Sequence, residues 1–229
     1  MEIQTLQDGD QSFNVSVREA PLHSRVVLFA VGAGGQPERY TSLLDALAGS
    51  GCTVIAPHVE RLASSVPNEE ELTLRARRLS LALDVFSQSS AKVMAVGHSI
   101  GAASLIALAG AQMWLGPGRC VDIALDSRLT RLALLAPPTG FFQAPGALDA
   151  VEIPIRAWVG SADKITPPSD AKWLAHAMRN RNEVDVCIAG GADHFSFMDI
   201  PPPQTIELLP NKHTFLRDYS NEVCDFLVG

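Results

Sequence analysis

Six short apolar runs rich in β-branched residues constrain this chain more than any other feature. They are "RVVLFAVG" (25–32), "CTVIAPHV" (52–59), "AKVMAVG" (91–97), "LTRLALLAPP" (129–138), "IPIRAWVG" (153–160) and "EVDVCIAG" (183–190). A run that is apolar on consecutive residues fits a strand covered on both faces. Helical patterns lie between them. "PERYTSLLDALAGSG" has Pro37 near its start and a Gly-rich end, and from Asn68 to Ser87 the residues Leu72, Ala76, Leu79, Leu83 and Phe86 recur at intervals of three and four. "GAASLIALAGA" (101–111), Ser169–Met178 and Thr214–Val228 read as three further helices. Each crossover helix must bury its stripe against the sheet, so the pattern predicts an α/β fold with a mostly parallel sheet and helices on both faces. "EIQTL" and "SFNVSV", joined by the turn-forming "DGD", add two strands at the front. No repeat or linker divides residues 1–229, which are expected to form one domain, and "DIPPPQTIELLP" (199–210) reads as a surface loop.

Composition narrows the function classes. The formal charge of −7 argues against a nucleic-acid surface. The densest basic group, Arg75 to Arg78, reads as a solvated helix face. Cys52, Cys120, Cys187 and Cys224 are widely separated, without metal-ligand spacing, and fit buried free thiols in a reducing compartment. The first twenty residues lack the basic and apolar regions of a signal peptide, and the longest apolar tract is too interrupted for a membrane span. The expected location is the cytoplasm.

In open α/β sheets, function collects at the carboxyl ends of the strands. Three such ends carry chemistry here. The run 91–97 leads into Gly97-His98-Ser99-Ile100-Gly101. A serine on a sharp strand-to-helix turn is forced to positive φ, and glycines two positions either side remove clashing side chains. The helix that follows points its N-terminus at the serine, where an oxyanion would develop. The competing reading, a helix-capping serine in a tight turn, gives the hydroxyl no partner. A partner is available in "GADHFSF", which places His194 just beyond another strand end, and imidazole exchanges a proton near neutrality. A neutral imidazole base needs its second nitrogen anchored by a carboxylate. Asp163 in "VGSAD" supplies one at a third strand end, while Asp193 is too close in the chain. The alternative for Asp163 is a turn near "ITPPSD", where Ser169 or Asp170 is the better helix cap. The side chain of His98 should point away from Ser99; His58 could line a pocket, and His23, His176 and His213 read as exposed. In "VGAGGQ" the free N–H of Ala33 could pair with that of Ile100 as an oxyanion hole.

With Ser99, Asp163 and His194 in that order at strand ends, the chain resembles the α/β-hydrolase family. "GHSIG", "VGSAD" and "GADHFSF" carry the resemblance, which runs from "VVLFAVG" to the last helix. Within the family it looks closest to small, capless serine esterases of the dienelactone-hydrolase and acyl-hydrolase sort. Dienelactone hydrolases proper use a cysteine nucleophile, so their substrate is not carried over, and Val31-Gly32 stands where the family has His-Gly. The resemblance implies hydrolysis of an ester or thioester through an acyl-serine, with no metal or organic cofactor. Lidded members insert a cap between the sixth and seventh strands. About fifteen residues, "PTGFFQAPGALDAVE", occupy that link here, so an open site for small to medium acyl groups is expected. Phe141, Phe142, Phe195 and Met198 are candidate walls of an acyl pocket. The second class is a ligand-binding or regulatory protein that keeps the scaffold without turnover. No motif specifies an oligomeric state.

Overall fold

The computed structural model describes residues 2–20, 25–64, 66–87 and 92–229; His23 lies outside them. The apolar runs form strands. Glu2–Asp8 (β1) and Gln11–Arg18 (β2) are an antiparallel hairpin, followed by Arg25–Ala30 (β3), Thr53–Pro57 (β4) and Lys92–His98 (β5). Met113–Trp114 (β6) and Cys120–Val121 (β7) make a small separate ribbon. Leu129–Leu135 (β8), Ile155–Gly160 (β9) and Val184–Ala189 (β10) complete an eight-stranded sheet in the order β1-β2-β4-β3-β5-β8-β9-β10. From β4 to β10 every pairing is parallel, and β2 joins β4 antiparallel.

The helices are Thr41–Gly49 (α1), Glu69–Phe86 (α2), Ile100–Leu108 (α3), Pro168–Met178 (α4) and Lys212–Val228 (α5). The helix expected from Pro37 begins as a 3-10 turn, Pro37–Tyr40, because Tyr40 leaves helical geometry at φ −126° before α1 starts. Two cores cover the sheet. On one face α2, α3 and α4 bury Leu72, Leu79, Leu105, Ile106 and Leu174 against Leu28, Ala95 and Leu132. On the other, Leu43, Leu44 and Leu47 of α1 and Tyr219, Val223 and Leu227 of α5 pack on Val27, Phe29 and Val96. At about 25 cal/mol per Å² of apolar surface, this two-sided burial is the main stabilising force on the central strands.

Helix α2 overturns one expectation. Arg75 and Arg78 are 4% and 1% exposed, so the basic group is not a solvated face. The two lie three residues apart on the same stripe as Leu72 and Leu79. The Arg78 guanidinium is held by both Glu60 carboxylate oxygens at 2.7 Å, by Asp8 Oδ2 at 3.3 Å and by Gln11. Arg75 donates to the Glu60 carbonyl at 2.7 Å and reaches the Gly32 carbonyl at 3.4 Å. Only Arg77 turns outward. The thiols also differ from expectation: all four are free, but Cys120 is exposed and only Cys52 is fully buried. Between β8 and β9 the link carries a 3-10 turn, Gly140–Phe142, and no cap. No described helix is long and apolar enough to cross a membrane.

Candidate active site

Strand β5 is central, and its carboxyl end turns into α3 within one residue. Ser99 makes that turn at φ 53°, ψ −125°. Its N–H is tied to the Leu135 carbonyl at 2.9 Å. A Cβ on Gly97 would lie 2.7 Å from the Ala102 nitrogen, and one on Gly101 would lie 2.2 Å from the Ala30 carbonyl oxygen. Both positions therefore demand glycine, by contact rather than by φ. Ser99 occupies the N-cap position of α3 without a side-chain capping bond, so its hydroxyl is not spent on the helix. Every residue of α3 is buried, and the small Ala102 and Ala103 let the helix lie close to the sheet.

The hydroxyl is spent on His194. Ser99 Oγ lies 3.0 Å from His194 Nε2, and His194 Nδ1 lies 2.9 Å from Asp163 Oδ2. Both residues are buried, with the imidazole 6% exposed and the carboxylate fully buried. Asp163 is fully engaged: Oδ1 accepts from the N–H of Ile165 and Thr166, both at 2.8 Å, and Oδ2 accepts from the Thr166 hydroxyl at 2.9 Å as well as from His194. Burial alone would raise its pKa, but the bonds from His194 and Thr166 outweigh that and leave it below the ordinary aspartate value. Asp163 therefore stays ionised at neutral pH and fixes the proton of a neutral His194 on Nδ1, which leaves Nε2 facing the serine as acceptor.

The loops that carry Asp163 and His194 are sewn together. The Ala162 N–H donates to the Ala192 carbonyl at 2.9 Å, and Gly191 N–H to Ser161 Oγ at 2.9 Å. Asp193 caps its own loop, accepting from Phe195 N–H and Ser196 Oγ. Ser169 and Asp170 do not cap α4, whose N-cap is Pro167 with no side-chain bond.

Ser99 and His194 line a cleft of about 950 Å³, and Asp163 is buried on the far side of the imidazole from Ser99. Phe195, Met198 and Leu62 supply apolar wall, Ala33 and Gly34 another side, and Pro202, Pro203 and Gln204 of the Pro-rich loop a third. Arg39 and Arg61 also line it. Among the described residues the N–H groups of Ile100 and Ala33 meet no backbone acceptor. Phe141 and Phe142 are elsewhere. Phe142 is 1% exposed within the core, and Phe141 lines a separate cavity with Trp114 and Pro138, because the 3-10 turn that carries both folds away from the serine. His58 bonds Ser16 Oγ at 2.7 Å beside another small cavity, and His176 and His213 are exposed. No group of three or more His, Cys, Asp or Glu side chains among the described residues could hold a metal ion.

Sequence reasoning passed over several contributors. Thr166 follows Asp163 at the i+3 spacing of a hydroxyl that closes an Asx-type turn, a signal that was available. Arg39, Tyr40 and the residues 61–64 and 202–204 had none, since only the tertiary approach of their segments brings them to the cleft.

No protein-family model matches the chain, and no curated protein matches it. Solved structures do. A dienelactone hydrolase from Anabaena variabilis is 18% identical with a TM-score of 0.67, covering 99% of this chain and 96% of that one. An α/β serine hydrolase homologue from Coxiella burnetii is 16% identical with a TM-score of 0.64, covering 98% and 96%. A thermophilic esterase from Thermogutta terrifontis with propionate bound is 19% identical with a TM-score of 0.63, covering 99% and 93%. The same esterase is also seen with butyrate bound and phosphoramylated by tabun. What is shared at such identities is architecture: this chain has the α/β-hydrolase fold.

Proposed function

We propose that this protein is a serine hydrolase that cleaves a carboxylic ester or thioester of small to medium acyl size. The observation that carries the reading is the unbroken path from Ser99 Oγ through His194 to Asp163, at 3.0 and 2.9 Å, with Ser99 and His194 lining an open cleft. As Ser99 Oγ bonds to the substrate carbonyl carbon, its proton passes to His194 Nε2. Asp163 stabilises the imidazolium without taking the proton. The N–H groups of Ile100 and Ala33 hold the oxyanion, at roughly 3 kcal/mol per donor. His194 then protonates the leaving alkoxide or thiolate as its bond to carbon breaks. Water, deprotonated by the same imidazole, attacks the acyl-serine and releases the acid and Ser99.

The cleft walls support the size limit: Phe195, Met198 and Leu62 offer an apolar strip beside the serine, and no cap extends it. The Thermogutta terrifontis esterase of the same fold, seen with propionate and with butyrate, supports short acyl groups, and its reaction with tabun supports a nucleophilic mechanism. A series of p-nitrophenyl esters and acyl thioesters of rising chain length tests the reading. The expected optimum is at short to medium chains, with Ser99→Ala lowering turnover by at least about 10³-fold. An optimum at long chains alone, or a Ser99→Ala variant as fast as the wild type, contradicts it.

A further inference from the structure

His98 is the residue between the elbow glycine and Ser99, and the reaction above gives it no role. It is 2% exposed, yet both ring nitrogens are bonded. Nδ1 lies 2.9 Å from the Tyr40 hydroxyl, and Nε2 lies 2.9 Å from the main-chain carbonyl of His194. The rings of His98 and His194 are in contact at a centroid distance of 4.9 Å, tilted 47° to each other. Tyr40, also 2% exposed, stands at the start of α1. Gly32 closes the arrangement: a Cβ there would lie 3.0 Å from His98 Nδ1 and 3.4 Å from the Tyr40 oxygen, so the loop that carries Ala33 rests directly on this pair.

Donor chemistry fixes the direction of each bond. A carbonyl only accepts, so Nε2 of His98 carries the proton. A neutral imidazole has one N–H, which leaves Nδ1 bare and makes the Tyr40 hydroxyl its donor. Burial, with the His194 ring as a second cause, pushes the pKa of His98 down to about 3, so the neutral ring persists across the working range. Burial likewise keeps the Tyr40 proton in place. An apolar pair would fill this space without the cost of burying two polar groups. What the polar pair adds is a single tautomer that braces two main-chain segments against the residue next to the nucleophile.

We propose that Tyr40 and His98 are positioning residues: together they set the main chain of His194 and of the Gly32–Ala33 loop relative to Ser99, so that the base and the oxyanion donors stand in register. The role rests on the serine-hydrolase reading of the site. Tyr40→Phe keeps the ring and removes one donor. Nε2–H of His98 still bonds the His194 carbonyl, but Nδ1 is left buried without a donor and the brace to the start of α1 is lost.

The test pairs kinetics with nitrogen NMR of ¹⁵N-histidine-labelled protein. In the wild type the His98 ring is expected as the Nε2–H tautomer, unchanged from about pH 5 to 9, because its pKa lies far below that range. In Tyr40→Phe the ring is expected to keep the Nε2–H tautomer while the Nδ1 resonance shifts to that of a nitrogen without a hydrogen bond, with kcat about 10–100-fold lower, KM within about threefold and an unchanged fold by circular dichroism, as loss of a transition-state alignment rather than of binding predicts. His98→Gln keeps an N–H donor for the His194 carbonyl and is expected to retain more kcat than His98→Phe. A wild-type His98 protonated on Nδ1 overturns the proposal, even if no variant folds. So does a Tyr40→Phe enzyme with wild-type kcat. A wild type that turns over no ester and leaves Ser99 inert to a fluorophosphonate overturns the hydrolase reading itself, and the positioning role with it.

Discussion

Ser99 is held at φ 53° although it carries a Cβ, a conformation that costs a non-glycine residue about 1–3 kcal/mol. The surrounding contacts impose it: the serine N–H is bound by Leu135, and its carbonyl accepts from the N–H of Ala102 and Ala103 at 2.8 and 3.2 Å. Ser99→Gly is therefore expected to melt higher than Ser99→Ala by the equivalent of about 1–2 kcal/mol, with both inactive. Equal melting temperatures would mean that no strain is stored. For Asp163 the account predicts a tautomer effect. Asp163→Asn offers an amide where His194 needs an acceptor, and kcat should fall by about 10³- to 10⁴-fold while the melting temperature changes little beside that loss. At this scale the sequence was most informative where a side chain sits at a strand end with a turn that leaves it one direction to point, as for Ser99, Asp163 and His194. It was silent on Tyr40, whose contact with His98 comes from tertiary packing.

Helix α2 shows what pattern reading misses at the scale of elements. Its apolar stripe and its capping box, Asn68 with Glu71, are both written in the chain, and Glu71 also accepts from the N–H of Ala63 in the cleft wall. Two of its arginines nevertheless turn inward, because Asp8, Gln11 and Glu60 come from β1, β2 and the loop after β4 to meet them. A charged residue on the buried stripe is legible only when its partners are known. Arg78→Ala is expected to cost about 3–5 kcal/mol, since it leaves the buried Asp8 with Arg77 alone, whereas Arg77→Ala should cost about 1 kcal/mol or less. Chemical denaturation of the two variants checks this, and equal losses would return the basic group to the surface. Phe141 and Phe142 were misplaced for a related reason. Their segment is apolar, but its 3-10 turn delivers one ring to the core and the other to a cavity away from Ser99.

For the whole molecule, the eight strands of the main sheet and its mostly parallel order followed from period and length, and of the cleft walls Ala33, Phe195 and Met198 were legible, while Arg39 and the residues 61–64 and 202–204 were not, because separate segments bring them in. Stability should depend on acid in a way those ion pairs dictate. Burial raises the pKa of Asp126, but the Arg128 guanidinium and Ser80 hydroxyl lower it past its usual value, and Arg78 lowers Glu60. A folded-state pKa below the unfolded one means that the unfolded chain binds more protons, so stability is full above about pH 4–4.5 and is lost as pH falls through the depressed values. Asp126→Asn should start less stable and lose less between about pH 5 and 3 than the wild type; parallel slopes in thermal melts would remove this carboxylate from the account. The reaction proposed above turns on one oxygen, Ser99 Oγ. Mass spectrometry of the folded protein after exposure to a fluorophosphonate should find a single adduct, on the peptide containing Ser99, that disappears in His194→Gln. A wild-type protein that remains unmodified, or an adduct that persists without His194, would contradict it.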